Sequence, residues 1–403
     1  TSLVDQTFCL VCVDDTSSFL LDFAQWHRNK FNPFVTTIVG SNGKTTSKEM
    51  IAHILGSVFH SSELVITRAN QNNQIGVPLN LLRINEKTKH VVLEIGMNTL
   101  GEIDRIAKKV KPNLVLITNA QRDHQEFLDS VSITANENGM AIKALQSSGT
   151  TVIPADSDYE EIWLDQAQGV GSDVVRFGIQ DESNNAFAKN NKYVVGKIIQ
   201  NYPLTMEVQE KSWSDSLMIN LQGIGKHFAL NALSSVAVTD SLNIPHKKIV
   251  KSLEDFLPID GRGAIYPFKR GVFFVDDTYN ANPDSMLAAI EALSELQVIK
   301  CMVLADMGEL GEKSGHSHLE VLTKASQKMA KVFLFGEEFA KASQKLGIGF
   351  PCVNNSLLIN EINNWINGQI ESRPEKDVAV WFKGSRVNGL EKVVKILLKK
   401  GLN

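Results

Sequence analysis

With 403 residues, 43% of them hydrophobic and 21% charged, the chain has the profile of a folded protein of two or three domains rather than a disordered one. A formal net charge of -4 offers no basic footprint for nucleic acid, so duplex binding is disfavoured. No apolar run approaches bilayer-spanning length and no charged-then-apolar leader precedes the first strand, so the cytoplasm is the expected compartment and no membrane partner is expected.

The chain begins at Thr1 inside what reads as a folded element, as expected of a fragment or processed chain. Residues 7–13 are strand-like and hold Cys9 and Cys12 in a C-x-x-C spacing. Four cysteines in a chain this long do not make a disulfide scaffold. A period of two puts the two thiols on opposite faces, so buried strand cysteines are expected rather than a zinc or redox pair.

Residues 34–39 form an apolar, β-branched run ending in a glycine-rich turn, and residues 45–59 follow with helical spacing. Residues 90–95 and 113–118 are two further short apolar runs with polar C-terminal ends, each fitting a buried parallel strand. Residues 174–221 alternate, are rich in Asn and lack helix signals, which predicts an antiparallel appendage. Helical spacing returns over 225–242. A second α/β series opens near Gly261, with strands at 271–275, 301–305, 331–335 and 378–382. The expected fold class is therefore α/β, with two open α/β units in series and a stub in front.

Between the first of these strands and its helix lies Gly40-Ser41-Asn42-Gly43-Lys44-Thr45-Thr46. Glycines let backbone N–H groups close around phosphate oxygens, and the helix N-terminus adds its positive dipole. Lys44 can reach the β- and γ-phosphates and the Thr45 hydroxyl can ligate Mg²⁺. The eight-residue form of the motif is not met, because Ile38 stands at its first position; a shorter G-x-x-G-K-T loop remains. Glu94 ends the strand at 90–95, and Asn119-Ala-Gln-Arg-Asp-His124 follows the next one. Ligands of α/β sheets gather at strand C-terminal ends, so Glu94 and His124 are metal-site candidates, His124 with a purely structural role as the alternative, because Mg²⁺ prefers oxygen ligands.

These residues resemble the ATP loop of the Mur ligases and their folylpolyglutamate synthetase relatives. Asn70-Gln-Asn-Asn-Gln-Ile-Gly-Val-Pro78, Glu94-Ile-Gly-Met-Asn98 with Gly101-Glu-Ile103, and Asp276-Asp-Thr-Tyr-Asn-Ala-Asn-Pro-Asp-Ser285 are similar to the MurF type of that family. So are Asp306-Met-Gly-Glu-Leu-Gly311 and Lys383-Gly-Ser-Arg386, and the blocks run in the family's order across nearly the whole chain.

The resemblance implies a central P-loop ATPase-like domain with a mostly parallel sheet (33–260), a C-terminal Rossmann-like α/β domain (261–403) and, at 1–32, the remnant of an N-terminal domain that grips a UDP group. It implies a monomeric, Mg²⁺-dependent enzyme that uses ATP to join D-alanyl-D-alanine to UDP-N-acetylmuramoyl-tripeptide. By the same resemblance, Lys44 and Thr45 hold ATP phosphates and Mg²⁺, Glu94 and His124 serve a second metal site, and Asn231 contacts adenine. Arg262 matches a phosphate contact from the C-terminal domain and Asp277 a ribose contact, with Asn280 and Asn282 on the same loop. Thr67, Asn72 and Asn73 match positions near the muramoyl-peptide, and His318, Lys383, Ser385 and Arg386 lie where the incoming dipeptide is handled.

Two departures stand out. Many Mur ligases carry a carbamylated lysine downstream of the histidine; here that register holds Glu137-Asn138. Either Glu137 supplies the negative charge, or the metal relies on Glu94, His124 and water. Only the last strand and helix of the N-terminal domain match, near residues 3–30, so weak UDP-substrate binding is expected. The rival readings are a ligase of the same superfamily with another amino-acid specificity, and a nucleotide-binding regulatory module.

Overall fold

In β-branched, apolar runs too short for helices, side chains alternate between two buried faces, and that is how the first series folds. The structure, a computed structural model, describes residues 11–401 apart from 124, 125, 127, 129, 147, 181–191 and 270. Its first strands are β1 (Phe34–Val39), β2 (Leu64–Ile66), β3 (His90–Glu94), β4 (Leu114–Ile117), β5 (Thr150–Pro154) and β6 (Asp173–Ile179). They continue into β7 (Lys192–Asn201), β8 (Leu204–Glu210) and β9 (Leu217–Leu221). Among the described residues these nine strands make one sheet, in the order β2-β3-β1-β4-β5-β6-β7-β8-β9. In β4, Leu114 and Leu116 pack into one core while Val115 and Ile117 pack into the other.

The second sheet holds β10 (Ala264–Lys269), β11 (Val272–Asp277), β12 (Ile299–Ala305), β13 (Lys331–Phe335), β14 (Phe350–Cys352) and β15 (Val378–Lys383). Its order is β10-β11-β15-β12-β13-β14, parallel except for the β10–β11 pair. It too has a hydrophobic core on each face. The two-sheet α/β class expected from the sequence is the one observed.

Two expectations need correcting. The region 174–221 is no separate antiparallel appendage: β6 pairs parallel with β5, β7 pairs parallel with β6, and only the β7–β8 and β8–β9 pairs are antiparallel. The reason is burial, since Val175, Phe177 and Ile179 of β6 enter the same core as Ile38 and Leu114. At the front, residues 11–13 form no strand and Cys12 is exposed; Cys9 and the rest of that expected strand lie outside the described residues. The helix Thr16–Phe31 follows, started by the Asp15 side chain accepting from the Ser18 N–H and docked through buried Arg28, which donates to the Lys111 carbonyl. Among the described residues, no helix is long and apolar enough to cross a membrane.

What positions the site is strand order. β1 pairs with β3 on one side and β4 on the other, which makes its C-terminal end a topological switch point where open α/β sheets form their binding crevice. The phosphate loop leaves β1 there, between Glu94 at the end of β3 and Asn119 just after β4.

Candidate active site

The loop after β1 is held open by close packing that only glycine permits. A Cβ on Gly40 (φ +131°) would sit 2.1 Å from Thr118 Oγ1, and one on Gly43 (φ +82°) 2.2 Å from Asn231 Oδ1. Both residues also occupy backbone conformations that L side chains rarely adopt. Between them the Asn42 N–H donates to Asn119 Oδ1 (2.9 Å), while the Asn42 carbonyl accepts from Thr118 Oγ1 (2.7 Å) and Asn119 Nδ2 (3.0 Å). Gln121 ties down Ser41 and Asn42: its N–H donates to Ser41 Oγ at 3.0 Å and its side-chain oxygen accepts from Asn42 Nδ2 at 2.6 Å. Lys44 Nζ donates to the carbonyls of Gly40 and Ser41, which holds the ammonium over the loop.

The helix Lys44–Gly56 starts at this loop. Its second residue, Thr45, donates from Oγ1 to Glu94 Oε2 at 2.9 Å, and Asn72 Nδ2 donates to Glu94 Oε1 at 2.8 Å. Glu94 is itself positioned from behind. Its N–H donates to Thr67 Oγ1 (2.9 Å), and the Thr67 carbonyl accepts from the fully buried Lys48 Nζ (3.1 Å). A hydroxyl and a carboxylate side by side at a strand end form an oxygen donor set, which suits a hard cation such as Mg²⁺. Thr45 and Glu94 therefore suit, as oxygen donors, the two metal sites that the resemblance implied. His124 lies outside the described residues.

The opposite wall comes from the second sheet. Asp277 and Lys383 are register partners at the C-terminal ends of β11 and β15, and Lys383 Nζ donates to Asp277 Oδ2 at 2.7 Å and to the Asn280 carbonyl at 3.3 Å. The guanidinium carbons of Arg262 and Arg386 lie 4.0 and 5.1 Å from the ring centre of Tyr279, close enough for cation–π attraction. His227, in the first turn of the helix Lys226–Ser241, packs edge-on to Trp381. Burial pushes its pKa down to about 4, with Asp277 and Lys383 acting in opposite directions, so a neutral imidazole faces the site at neutral pH. Together the two walls enclose a cleft of about 770 Å³.

Most of the expected site residues line this cleft: Ser41 through Thr46, Asn72, Asn73, Glu94, Asn231, Arg262, Asp277, Asn280 and Lys383. Gly40 and Thr67 sit behind the wall as supports. Asn282 caps the helix Pro283–Ser294 and pairs its amide with that of Asn42, Nδ2 to Oδ1 at 3.0 Å. Ser385 bridges two loops, accepting from the Gly308 N–H and donating to the Ala281 carbonyl. His318 departs from expectation. It is completely buried, its Nε2 accepts from the Met307 N–H and its Nδ1 meets the Ser314 carbonyl at 2.7 Å, so neither nitrogen is open to a dipeptide. Sequence reasoning missed Thr118, Asn119, Gln121, His227 and Tyr279. The first three lie at or next to the 119–124 block already noted; the signal there was its polar, strand-terminal placement, not the histidine alone.

Comparison with known proteins agrees with this geometry. The family model described as "Mur ligase middle domain" matches residues 38–239, and that described as "Mur ligase, glutamate ligase domain" matches residues 261–386. The chain belongs to the Mur ligase family. Within it the chain falls with the MurF type. A UDP-N-acetylmuramoyl-tripeptide–D-alanyl-D-alanine ligase from Haemophilus influenzae is 31% identical over 392 residues, 96% of this chain and 82% of the relative. The Escherichia coli protein of that description is 28% identical over 390 residues, again 96% and 82%. A crystal structure of MurF from Acinetobacter baumannii has a TM-score of 0.84 at 26% identity, covering 96% of this chain and 82% of that one.

Against the Mur ligase pattern, the Glu137-Asn138 departure now has a structural account. Glu137 Oε1 accepts from the N–H groups of Gly101 (2.9 Å) and Ile103 (3.2 Å), at the start of the helix Glu102–Val110. Burial raises its pKa and these two donors oppose the shift. Its carboxylate serves a helix N-terminus, where negative charge is favoured. Asn138 is fully buried, and among the described residues neither side-chain polar atom has a hydrogen-bond partner; its amide is neutral and cannot take up CO₂ as a lysine does. Added bicarbonate is therefore expected to leave turnover unchanged, and Glu137→Ala to lower stability by about 1 kcal/mol through loss of the cap. Bicarbonate titration of activity and denaturant unfolding check both; a bicarbonate-dependent gain that disappears in Asn138→Ala would overturn the first.

Proposed function

We propose that this chain uses ATP to join D-alanyl-D-alanine to UDP-N-acetylmuramoyl-tripeptide, a step in peptidoglycan precursor synthesis, and that it acts as a cytoplasmic monomer. The observation that carries the reading is that the phosphate loop and the Thr45–Glu94 pair face Arg262, Asp277 and Lys383 across one cleft. We divide the chain at 1–32, 33–260 and 261–403, as remnant, ATP-binding domain and C-terminal ligase domain.

A carboxylate resists attack by an amine because oxide is no leaving group at neutral pH. A terminal carboxylate oxygen of the tripeptide attacks the γ-phosphorus; the bond from that phosphorus to the β,γ-bridging oxygen breaks and ADP departs. The dipeptide's amine then adds to the acyl carbon, and the tetrahedral intermediate expels phosphate as the amine loses its proton. Such transfer needs positioning and charge neutralisation more than covalent help. Lys44 and Arg262 neutralise the phosphate oxygens, Asn231 meets the adenine, Asp277 meets the ribose, and Asn280 and Asn282 shape the loop between them. Thr45 would hold Mg²⁺ at the phosphates and Glu94 with His124 would serve a second metal site, where the bound metal would screen phosphate charge. Asn72 and Asn73, backed by Thr67, face the muramoyl-peptide; Lys383 and Arg386 face the dipeptide, with Ser385 and His318 supporting them from within.

The test is to incubate the chain with ATP, Mg²⁺, UDP-N-acetylmuramoyl-tripeptide and a panel of amines. Phosphate release that requires both the tripeptide and D-alanyl-D-alanine, with a product of the summed mass less water, is the expected result. Preference for another amine would shift the specificity, and nucleotide binding without substrate-dependent phosphate release would point to a regulatory module.

A further inference from the structure

The segment after β4 that fastens the phosphate loop also grips the second sheet's helices. Gln121 holds Ser41 and Asn42. The next residue, Arg122, turns the other way: its N–H donates to Asp284 Oδ2 at 2.7 Å, and its Nε and Nη2 both donate to Asp284 Oδ1, at 2.9 and 2.7 Å. Its Nη1 donates to Glu320 Oε2 at 2.7 Å, and Nη2 reaches Glu320 Oε1 at 3.3 Å. Asp284 lies in the first turn of the helix Pro283–Ser294 and Glu320 in the helix Ser314–Lys328. One half-buried guanidinium thus spans two helices beyond residue 261 from a strap that begins in the first sheet. Asn282 donates to Asp123 Oδ1 at 3.4 Å, and the Glu126 N–H to the Glu309 carbonyl at 3.1 Å, so the strap meets the second unit three times in five residues.

We infer that Arg122 is a positioning residue for catalysis, the latch that holds the C-terminal helices against the phosphate loop so that Arg262 and Asp277 face bound nucleotide. Three properties of the arrangement carry this. Arg122 and the loop-holding Gln121 are adjacent, so the latch moves with the loop. Asp284 is two residues from Asn282, whose amide pairs with that of Asn42, so the second unit is gripped within one turn of its loop contact. An arginine that engages two carboxylates through a planar fork fixes orientation as well as distance, which a single ammonium does not. The latch touches no reacting atom; it acts by setting the fraction of molecules in the closed arrangement, and turnover scales with that fraction.

This rests on the reading of the cleft as an ATP site, and the experiment separates the two. In the full chain, Arg122→Ala is expected to lower turnover by about tenfold or more, as loss of charge-assisted bonds implies, with a much smaller change in KM for ATP, because the phosphate loop stays intact. Small-angle scattering with the non-hydrolysable analogue AMP-PNP should show a larger radius of gyration for the variant than for the parent. Arg122→Lys should recover part of the turnover, and Glu320→Gln, which keeps the shape of the side chain, should fall in the same direction. Glu320→Ala added to Arg122→Ala should cost nothing further, since both break one network. Parental turnover and scattering in Arg122→Ala, or additive losses in the double variant, would overturn the latch. Failure of the parent to turn over ATP would instead count against the ligase reading, while scattering and AMP-PNP binding still decide the latch.

Discussion

Replacing Lys44 by alanine is expected to cut ATP turnover by about 100–1,000-fold, the scale of removing one preorganised donor from the charge that develops in a transition state. The fold should survive. Among the described residues the Lys44 ammonium bonds only to carbonyls of its own loop, Gly40 and Ser41, while the loop is independently tied by Thr118, Asn119 and Gln121. The check is a kinetic assay beside a thermal melt: lost turnover with a parental melt is the expected pair. A variant that turned over ATP at the parental rate would remove the loop from the mechanism.

The second large effect is expected at Arg262, on the other wall. Arg262→Ala should depress turnover by about 10–100-fold, as loss of one charge-assisted hydrogen bond of about 1.5–3 kcal/mol implies, while ATP affinity falls less. On the proposed reading the difference arises because Arg262 belongs to the second unit and would reach the phosphates only across the closed cleft, whereas the phosphate loop would grip ATP whether or not the cleft is closed. Its stacking on Tyr279 at 4.0 Å makes Arg262→Lys a useful companion: an ammonium keeps the charge but loses the planar stack. Measuring ATP affinity and turnover in both variants separates charge from orientation. Equal loss of affinity and turnover would mean that Arg262 acts in ground-state binding.

The strands β1, β3 and β4, the phosphate loop and Glu94 were legible in the sequence because each is a local pattern: an apolar run, then a polar or glycine-rich end. Asn231, Arg262 and Asp277 were legible only through family resemblance, since nothing local brings residues so far apart in sequence to one cleft. Asn119 and Gln121 were passed over because their role is to bond Ser41 and Asn42, some 80 positions earlier, which side-chain type alone does not reveal. His318 misled for the opposite reason. A histidine beside a family block reads as chemical, yet its burial against Phe339 and its two backbone partners make it a structural pin. The continuation of the first sheet through β6 and β7 was hidden by the polar, half-exposed outer ends of those strands.

The fastening of the phosphate loop also bears on how fast nucleotide is captured. Ser41 and Asn42 are held at backbone and side chain by residues in the segment just after β4, so the loop has little conformational freedom left to surrender. A flexible loop would lose entropy on closing around phosphates, and part of the interaction energy would be spent on ordering it. Here that ordering is completed during folding, which leaves the association step to diffusion and the energy of the phosphate contacts to affinity.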